Sequence, residues 1–370
     1  MSHLPPPPNA AAAAPGPLEW ADPARARLFD LWLAQVAARH GLQPASLRPA
    51  SSDASFRRYL RIDGAAGASL IIMDAPPQQE DCRPFVRVQA LLQAAGIHVP
   101  QILDWDPANG FMLLTDVGRQ TVIEQLQPEH PQPAYDWYLQ AVDLLLQCQT
   151  GVASDSLPPY DEALLRRELQ LFPDWYLARH RAVSLTEAQQ ALLARSFDRI
   201  VQHNLAAPSV FVHRDFMMRN LIASPDGRLA LLDFQDAVRG PITYDIASLL
   251  RDAFISWDEE FVIDITVRYW EKARRAGLLG AASPSGFGAD FGEFYRAVDW
   301  MALQRHLKVA GIFARLTLRD GKPRYLADAP RFIHYIRQTA GRYRELSPLL
   351  RLVDDIEGTQ AVMGYAFGRI

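Results

Sequence analysis

Lysine is the residue type that this sequence most nearly lacks. The 370 residues include three lysines, at positions 272, 308 and 322, so the other 35 of the 38 basic side chains are arginines. The basic residues form no block, and the formal net charge is -4. Domains that bind nucleic acid carry a concentrated basic patch. The sequence therefore argues against nucleic acid as a partner.

Cysteine and long apolar runs are scarce as well. Two cysteines, Cys82 and Cys148, make no disulfide framework and suit a reducing compartment. No apolar run approaches the ~20 residues that a membrane-spanning helix needs. The first 20 residues are rich in Pro and Ala and lack a cationic start before a Leu-rich core, so we expect a disordered tail and no signal peptide. These features predict a cytoplasmic protein with no membrane partner.

The hydrophobic pattern divides the chain into a strand-rich part and a helix-rich part. The first helix is capped by Asp22-Pro23 and ends at Gly41. Strands are predicted over 51–62, 68–76, 101–106 and 110–118, and further helices over 80–95, 133–149, 162–179, 186–204, 244–254, 258–275, 287–315 and 331–344. This order predicts an α+β fold with a disordered tail (1–20), a sheet lobe with one crossover helix (21–114), a hinge (115–118) and a mostly helical lobe (119–370).

A hairpin interrupts the predicted helices between Ser209 and Asp236, and it carries polar residues in a recognisable order. A polar loop follows an apolar strand at 210–212, and a second apolar strand ends at Leu232. The loop fits H-R-D-x-x-x-x-N, and the second strand leads into a D-F-x triplet; both patterns are typical of kinases. Either motif alone also describes ordinary turn residues after buried strands. Both in order, each after an apolar strand, are more specific.

Three side chains of these motifs match the requirements of phosphoryl transfer. The reaction needs a hydroxyl aimed at the γ-phosphate and cations to neutralise the triphosphate. Mg²⁺ prefers oxygen ligands and keeps most of its water, so Asp233 and Asn220 are the predicted ligands. Asp215 would accept the proton of the acceptor hydroxyl or orient that hydroxyl. Two adjacent strands would bring these groups to one edge. The sequence therefore predicts an enzyme that uses ATP and Mg²⁺.

With these residues in place, the chain resembles the aminoglycoside phosphotransferase/choline kinase-like branch of the kinase superfamily over about residues 51–250. The stretch GPITYDIASLLRD (240–252) is similar to the segment that follows the D-F-x triplet in that branch. The resemblance implies a bilobal protein-kinase-like fold. It also implies that Asp245 holds the catalytic loop in place and that His213 supports this loop by packing and hydrogen bonding.

Three stretches resemble a narrower group, the cell-wall-recycling kinases that phosphorylate N-acetylmuramate and N-acetylglucosamine at the anomeric hydroxyl. They are DASFRRYLR, IIMDAPPQQED and LQRHLKVAGIFARL. The resemblance implies an ATP- and Mg²⁺-dependent sugar kinase that makes sugar 1-phosphates in peptidoglycan recycling. Its partners would be the sugar and ATP, with no obligate protein partner evident.

The sequence departs from the kinase pattern at the nucleotide phosphates. Kinases place a lysine on the third strand, where this chain has Met73. We expect Arg57 or Arg58 to replace it, because successive strand residues alternate faces and a guanidinium offers a phosphate two parallel donors. The alternative is that both arginines face solvent. The loop SSDAS, which holds Ser52 and Ser55, lacks glycine but offers small residues and hydroxyl donors to the phosphates.

Two further groups of residues are candidates for ligand contacts. The carbonyl of Thr115 or Asp116 and the N–H of Val117 would bind the adenine edge. The Asp116 side chain would reach a ribose hydroxyl or be a solvated loop charge, and we expect the latter. Arg305, His306 and Lys308 share one predicted helix, where they would bind a substrate carboxylate or simply cap the helical lobe.

Other functions remain open on the sequence alone. The same chemistry could serve an aminoglycoside, choline or another metabolite hydroxyl. A catalytically dead kinase fold that acts as a binding module is favoured only by the missing lysine. A protein kinase is disfavoured because no D-F-G or A-P-E activation segment separates the triplet from the next helix.

Overall fold

The computed structural model describes residues 20, 22–52, 56–127, 131–280 and 286–359, without the side chains of 51, 52 and 324. Residues 1–19 of the predicted tail, Ser55 and the Ser52 side chain lie outside this description. The chain divides into two compact units. The N-terminal unit comprises the described residues up to Ala90 and Val99–Arg119, and the C-terminal unit comprises Leu91–His98 and the described residues from Gln120 onward.

Nine strands and ten α-helices are present in the described residues. The strands are β1 Gln43–Ser52, β2 Arg58–Asp63, β3 Ser69–Asp74, β4 Ile102–Asp106, β5 Phe111–Thr115, β6 Ser209–Val212, β7 Leu221–Ala223, β8 Leu229–Leu231 and β9 Val238–Pro241. The helices are α1 Pro23–His40, α2 Arg83–Ala94, α3 Pro131–Gly151, α4 Glu162–Leu169, α5 Glu187–Leu205, α6 Thr243–Leu250, α7 Glu259–Arg275, α8 Phe291–Leu318, α9 Ala329–Arg342 and α10 Ser347–Glu357. A π-helix, Phe172–His180, follows α4.

The N-terminal unit is a five-stranded antiparallel sheet in the order β1-β2-β3-β5-β4, with α1 packed on one face. The predicted ends of α1 are confirmed. The Asp22 side chain accepts the N–H of Ala24 and Pro23 opens the first turn, while Gly41 closes the helix in the left-handed region at φ 64°. The buried face of α1 and the sheet form one apolar core of Phe29, Trp32, Leu33, Val36, Leu42, Leu60, Ile62, Ile72, Phe111 and Leu113.

The single strand predicted over 51–62 is wrong. Two strands occupy this region, because β1 ends at Ser52 and β2 begins at Arg58. The residues of β1, QPASLRPASS, include two prolines and few apolar side chains, so they give no strand pattern. Proline is tolerated there because β1 lies at the edge of the sheet, and its register on β2 shifts twice.

Most predicted helices of the C-terminal unit are confirmed, with ends that differ by a few residues. The helix predicted over 162–179 instead breaks after Leu169 and continues as the π-helix. Pro173 has no N–H to donate in an α-helical ladder. In addition, α8 passes so close that a Cβ on Gly311 would lie 2.4 Å from the Leu171 carbonyl carbon. The helix α10 was not predicted.

Two further observations bear on the expected class of protein. Cys82 and Cys148 are both buried free thiols. No helix in the described ranges is both long and apolar enough to cross a membrane.

Candidate active site

The segment with the kinase motifs folds into two separate two-stranded ladders in the C-terminal unit. Strand β6 pairs with β9, and β7 pairs with β8. The prediction that the strands before Asp215 and Asp233 pair side by side is therefore wrong. The His213 ring connects the two ladders instead: its Nε2 lies 2.9 Å from the Leu232 carbonyl, and its Nδ1 lies 3.2 Å from the Asp215 amide nitrogen.

Burial determines the protonation state of the His213 ring. The side chain is fully buried, which lowers its pKa to about 4, so the ring is neutral near pH 7. Because Nδ1 accepts the N–H of Asp215, the proton sits on Nε2, which donates to the Leu232 carbonyl. A neutral ring with both nitrogens engaged is suited to holding the loop that carries Asp215.

The Asp245 carboxylate on α6 accepts two hydrogen bonds from the backbone of the same loop. Its Oδ2 accepts the N–H of His213 at 2.7 Å and its Oδ1 accepts the N–H of Arg214 at 3.0 Å. Burial raises the pKa of Asp245 to about 7, although both backbone N–H groups act to lower it. Arg214 has φ 76°, a conformation that costs a non-glycine residue about 1–3 kcal/mol unless its surroundings impose it. The Asp245 carboxyl is one such restraint.

The three predicted chemical groups are connected through backbone and amide hydrogen bonds. The Asn220 side-chain nitrogen donates to the Asp215 carbonyl at 2.8 Å. The Asn220 carbonyl accepts the N–H of Leu232 at 2.9 Å, and Asp233 follows directly with φ 61°. Gln235 donates from Nε2 to Asp233 Oδ1 at 2.8 Å. The structure thus brings Asp215, Asn220 and Asp233 into one hydrogen-bonded framework.

The donor set of this framework fits a magnesium ion. Because the Asn220 amide nitrogen is committed to the Asp215 carbonyl, its oxygen is the atom that can face a cation. An amide oxygen and the Asp233 carboxylate are hard ligands of the kind that Mg²⁺ takes alongside water and phosphate oxygens. Within the parts of the chain that the structure describes, no three His, Cys, Asp or Glu side chains are grouped as metal ligands. The predicted pair includes only one such side chain.

A buried ion cluster that the sequence did not reveal contacts the loop that carries Asp215, through Arg214. The Glu168 carboxylate on α4 accepts hydrogen bonds from the Arg214 guanidinium and the Tyr160 hydroxyl. Its Oε1 also lies 3.1 Å from Lys308 Nζ on α8. Lys308 also donates to the Tyr244 hydroxyl at 3.1 Å. Burial raises the pKa of Glu168, but Lys308 and Arg214 outweigh it and the net pKa is lowered. Lys308 therefore links α8 to α4 through its ion pair with Glu168. The charged residues of the cluster are far apart in the sequence, so only the folded structure reveals it.

The two candidate phosphate arginines of the N-terminal unit have different surroundings. Arg57 pairs with Glu80 at 3.1 Å, and its side chain is 10% exposed. Arg58 pairs with Asp74 at 2.7 Å, and its guanidinium carbon lies 3.8 Å from the ring centroid of Trp20. Neither is therefore a solvated surface charge.

The predicted adenine-binding stretch follows the end of β5. The Thr115 hydroxyl accepts the N–H of Gln101 at 2.8 Å, and Val117 is buried. Asp116 is not a solvated loop charge, and that expectation is wrong. Its carboxylate pairs with Arg61 at 2.7 Å, accepts the Ser69 hydroxyl at 2.6 Å and is 5% exposed. The cause is that Arg61 of β2 and Ser69 of β3 lie next to Asp116 in the fold, although both are far from it in the sequence.

The structure does not place Arg305 and His306 on an open surface. They are 4% and 1% exposed in the middle of α8. The His306 ring stacks on Tyr335 with centroids 4.6 Å apart, its Nε2 lies 3.2 Å from the Arg251 carbonyl, and burial lowers its pKa to about 3. The Arg305 guanidinium lies 5.4 Å from the Tyr244 ring centroid. These contacts favour a structural role in the interior of the helical unit over binding of a substrate carboxylate.

The chain is similar in sequence to known phosphotransferases. The profile of the phosphotransferase enzyme family matches residues 46–278. The N-acetylmuramate/N-acetylglucosamine kinase of Pseudomonas aeruginosa is 50% identical over 348 residues, which cover 92% of this chain and 99% of the relative. The protein of the same name from Pseudomonas putida is 48% identical over 84% of this chain and 88% of the relative.

A solved structure shows the same fold at low identity. Choline kinase LicA from Streptococcus pneumoniae superposes with a TM-score of 0.57 at 11% identity, over 84% of this chain and 99% of that one. The predicted α+β kinase-like fold is thereby confirmed, as is the resemblance to the amino-sugar kinases. The chain belongs to the phosphotransferase enzyme family and is a phosphotransferase.

Proposed function

We propose that this phosphotransferase transfers the γ-phosphoryl group of ATP to the anomeric hydroxyl of N-acetylmuramate or N-acetylglucosamine. The product is the sugar 1-phosphate, and the reaction serves peptidoglycan recycling. The observation that carries the proposal is the 50% identity to a kinase of that name over 99% of its length. The alternative acceptors, an aminoglycoside or choline, have support only from distant likeness in fold.

The proposed division of labour rests on the framework of the C-terminal unit. Asp215 accepts or orients the proton of the acceptor hydroxyl, and the bonds from His213 and Asp245 hold its loop. Asn220 and Asp233 hold Mg²⁺, which supplies neutralising charge to the phosphates when it is bound.

The N-terminal unit supplies the nucleotide contacts in this proposal. Arg57, together with the loop that holds Ser52 and Ser55, contacts the phosphates. The backbone of Thr115, Asp116 and Val117 contacts adenine. Both neighbouring arginines form an ion pair, and we assign Arg57, because Arg58 also packs on the Trp20 ring and shares Asp74 with Arg25 of α1.

A panel of acceptors tests the reaction. The purified protein is incubated with ATP, Mg²⁺ and, separately, each amino sugar, choline and a set of aminoglycosides, and the products are analysed by ³¹P NMR. We expect phosphate on N-acetylmuramate and N-acetylglucosamine, with the phosphorus coupled to the anomeric proton. Reducing-end 1-O-methyl glycosides of the same sugars, which lack a free anomeric hydroxyl, should stay unmodified.

The matched control is Asp215→Asn, which keeps the shape of the side chain and removes the proton acceptor. We expect turnover to fall by roughly 10²–10⁴, the range for general acid–base catalysis, while MgATP still binds. Phosphorylation of another hydroxyl, or of choline or an aminoglycoside in preference to the sugars, would overturn the proposed acceptor.

A further inference from the structure

A cavity of about 260 Å³ opens in the C-terminal unit beside the catalytic loop. Arg219, Phe254, Tyr325 and Asp328 line it, and we call it the Arg219 cavity. Arg219 directly precedes Asn220 in the short 3₁₀ turn Met218–Asn220, so one lining residue belongs to the same turn as the proposed metal ligand Asn220. Its volume is close to the lower end of the roughly 300–1,000 Å³ usual for small-molecule sites.

Arg219 is an exposed arginine whose guanidinium packs on an aromatic ring and lines a cavity. Its side chain is exposed, and the guanidinium carbon lies 4.5 Å from the ring centroid of Phe254. Arg214, Arg251 and Arg342 each form ion pairs with buried carboxylates, whereas no carboxylate in the described ranges forms one with Arg219.

Two carboxylates are close enough to bear on Arg219: Asp328 lines the same cavity, and the charge of Arg219 acts to lower the pKa of Asp252, but neither forms an ion pair with Arg219. Asp328 lies 4.0 Å from Arg331, and Asp252 is fully buried and accepts the N–H of Phe254 at 2.9 Å. The ring of Phe254 holds the Arg219 guanidinium in place without neutralising its charge. Arg219 is therefore a positioned cation in the lining of the cavity.

The lining suits a monosaccharide that bears a negative charge. The rings of Phe254 and Tyr325 offer apolar surface to the C–H face of a sugar, and the Asp328 carboxylate can accept hydrogen bonds from hydroxyls. A guanidinium offers a carboxylate two parallel donors. N-acetylmuramate carries a lactyl carboxylate, whereas N-acetylglucosamine carries none.

We propose that the Arg219 cavity binds the acceptor sugar and that Arg219 recognises the carboxylate of an acidic amino sugar. The proposal rests on the proposed function and deepens it, because it names the residue that distinguishes the acidic from the neutral acceptor. Arg305 and His306, the acceptor residues suggested by the sequence, are buried among helices, and Arg219 takes over the part considered for them.

The test compares one variant on two substrates. For Arg219→Gln, kcat/KM is measured with N-acetylmuramate and with N-acetylglucosamine at saturating ATP and Mg²⁺. We expect kcat/KM for N-acetylmuramate, divided by kcat/KM for N-acetylglucosamine, to fall by roughly 10–100-fold. The fall should come mainly from a higher KM for N-acetylmuramate. Arg219→Lys should recover part of the ratio, because it keeps the charge and loses the paired donors.

Arg274→Gln is the matched control. The Arg274 guanidinium also lies over an aromatic ring, 4.8 Å from the Trp270 centroid, and lines a different cavity of the same unit. This variant should leave the ratio unchanged.

Each outcome has a distinct meaning. Equal losses on both sugars would mean that Arg219 only shapes the catalytic loop, and an unchanged ratio would mean that the carboxylate binds elsewhere; either overturns the inference while the kinase activity stands. A wild-type enzyme that accepts only the neutral sugar also overturns it. If the wild type phosphorylates neither sugar, the proposed function itself fails, and the inference falls with it.

Discussion

At the scale of single residues, two neighbouring arginines are the candidates for the role that a lysine fills in other kinases. Alternation along β2 places Arg58 on the face of Leu60 and Ile62, against α1, where it bonds Asp74 and covers Trp20. Arg57 precedes the strand and pairs with Glu80. The two side chains therefore have different partners, and it is Arg58 that packs with the residues on the α1 face of the sheet.

The two arginines should respond differently to replacement by alanine. We expect Arg57→Ala to weaken MgATP binding by roughly 1.5–3 kcal/mol, the scale for a hydrogen bond to a charged group. Arg58→Ala should lower the melting temperature, because it removes the ion pair with Asp74 and the contact with the Trp20 ring. It should change MgATP binding little. Titration calorimetry and thermal melting of both variants measure the two effects. Equal losses of nucleotide affinity, or none in either variant, would contradict the assignment.

At the scale of elements, the contact between α8 and the start of the π-helix depends on a single glycine. The backbone of Leu171 passes so close to Gly311 that an added Cβ would meet its carbonyl carbon and oxygen at 2.4 Å. Backbone atoms cannot rotate away as the end of a flexible side chain can. The position therefore admits no side chain without a shift of one helix against the other.

Gly311→Ala should consequently destabilise the protein. Overpacking of this kind costs about 1–3 kcal/mol, even though alanine favours the helix. Gly341→Ala in α9 is the control, because its Cβ would meet nothing closer than 3.7 Å, and we expect it to be neutral or slightly stabilising. Differential scanning calorimetry of the two variants measures the contrast. A Gly311→Ala protein that melts with the wild type would show that the helices move apart at no cost.

The predictable parts of the molecule are those that local residues determine. Asp22, Pro23 and Gly41 fix the ends of α1, and the motifs around Asp215 and Asp233 located the candidate site. The break after α4 had a local signal in Pro173, which lies inside the predicted helix, but the close approach of Gly311, 140 residues from Leu171, shows only in the structure. The pairing of Glu168 with Arg214 and Lys308 also escaped prediction, since three separate segments contribute to it.

At the scale of the whole molecule, buried carboxyl groups make stability depend on pH. Burial raises the pKa of Asp252 from 3.8 to about 6, against the opposing influence of Arg305, Arg219 and Arg331. Between these values the folded protein retains a proton that the unfolded chain has lost. Stability therefore falls as pH rises through this window, and the cost of burying the ionised group is fully present above pH 6.

Asp252→Asn should remove this dependence. The free energy of unfolding of the variant, relative to wild type, should rise by about 1–1.5 kcal/mol between pH 5 and pH 8, because asparagine carries no charge at either pH. The two pH values, 5 and 8, lie on either side of the pI near 6.1, where the solubility of the protein is lowest. Melting temperatures of both proteins at the two pH values report the difference. A constant difference would show that Asp252 titrates alike in the folded and unfolded states.

The scarcity of lysine also decides which covalent chemistry can reach this enzyme. No lysine precedes position 272, so an acylating nucleotide analogue finds no lysine amine in the N-terminal unit. Lys308 is buried against Glu168 and Tyr244, and both thiols are buried. Reagents that acylate the phosphate-binding lysine of kinases would therefore find no such amine in the N-terminal unit, and a covalent inhibitor directed there would need to react with another type of side chain.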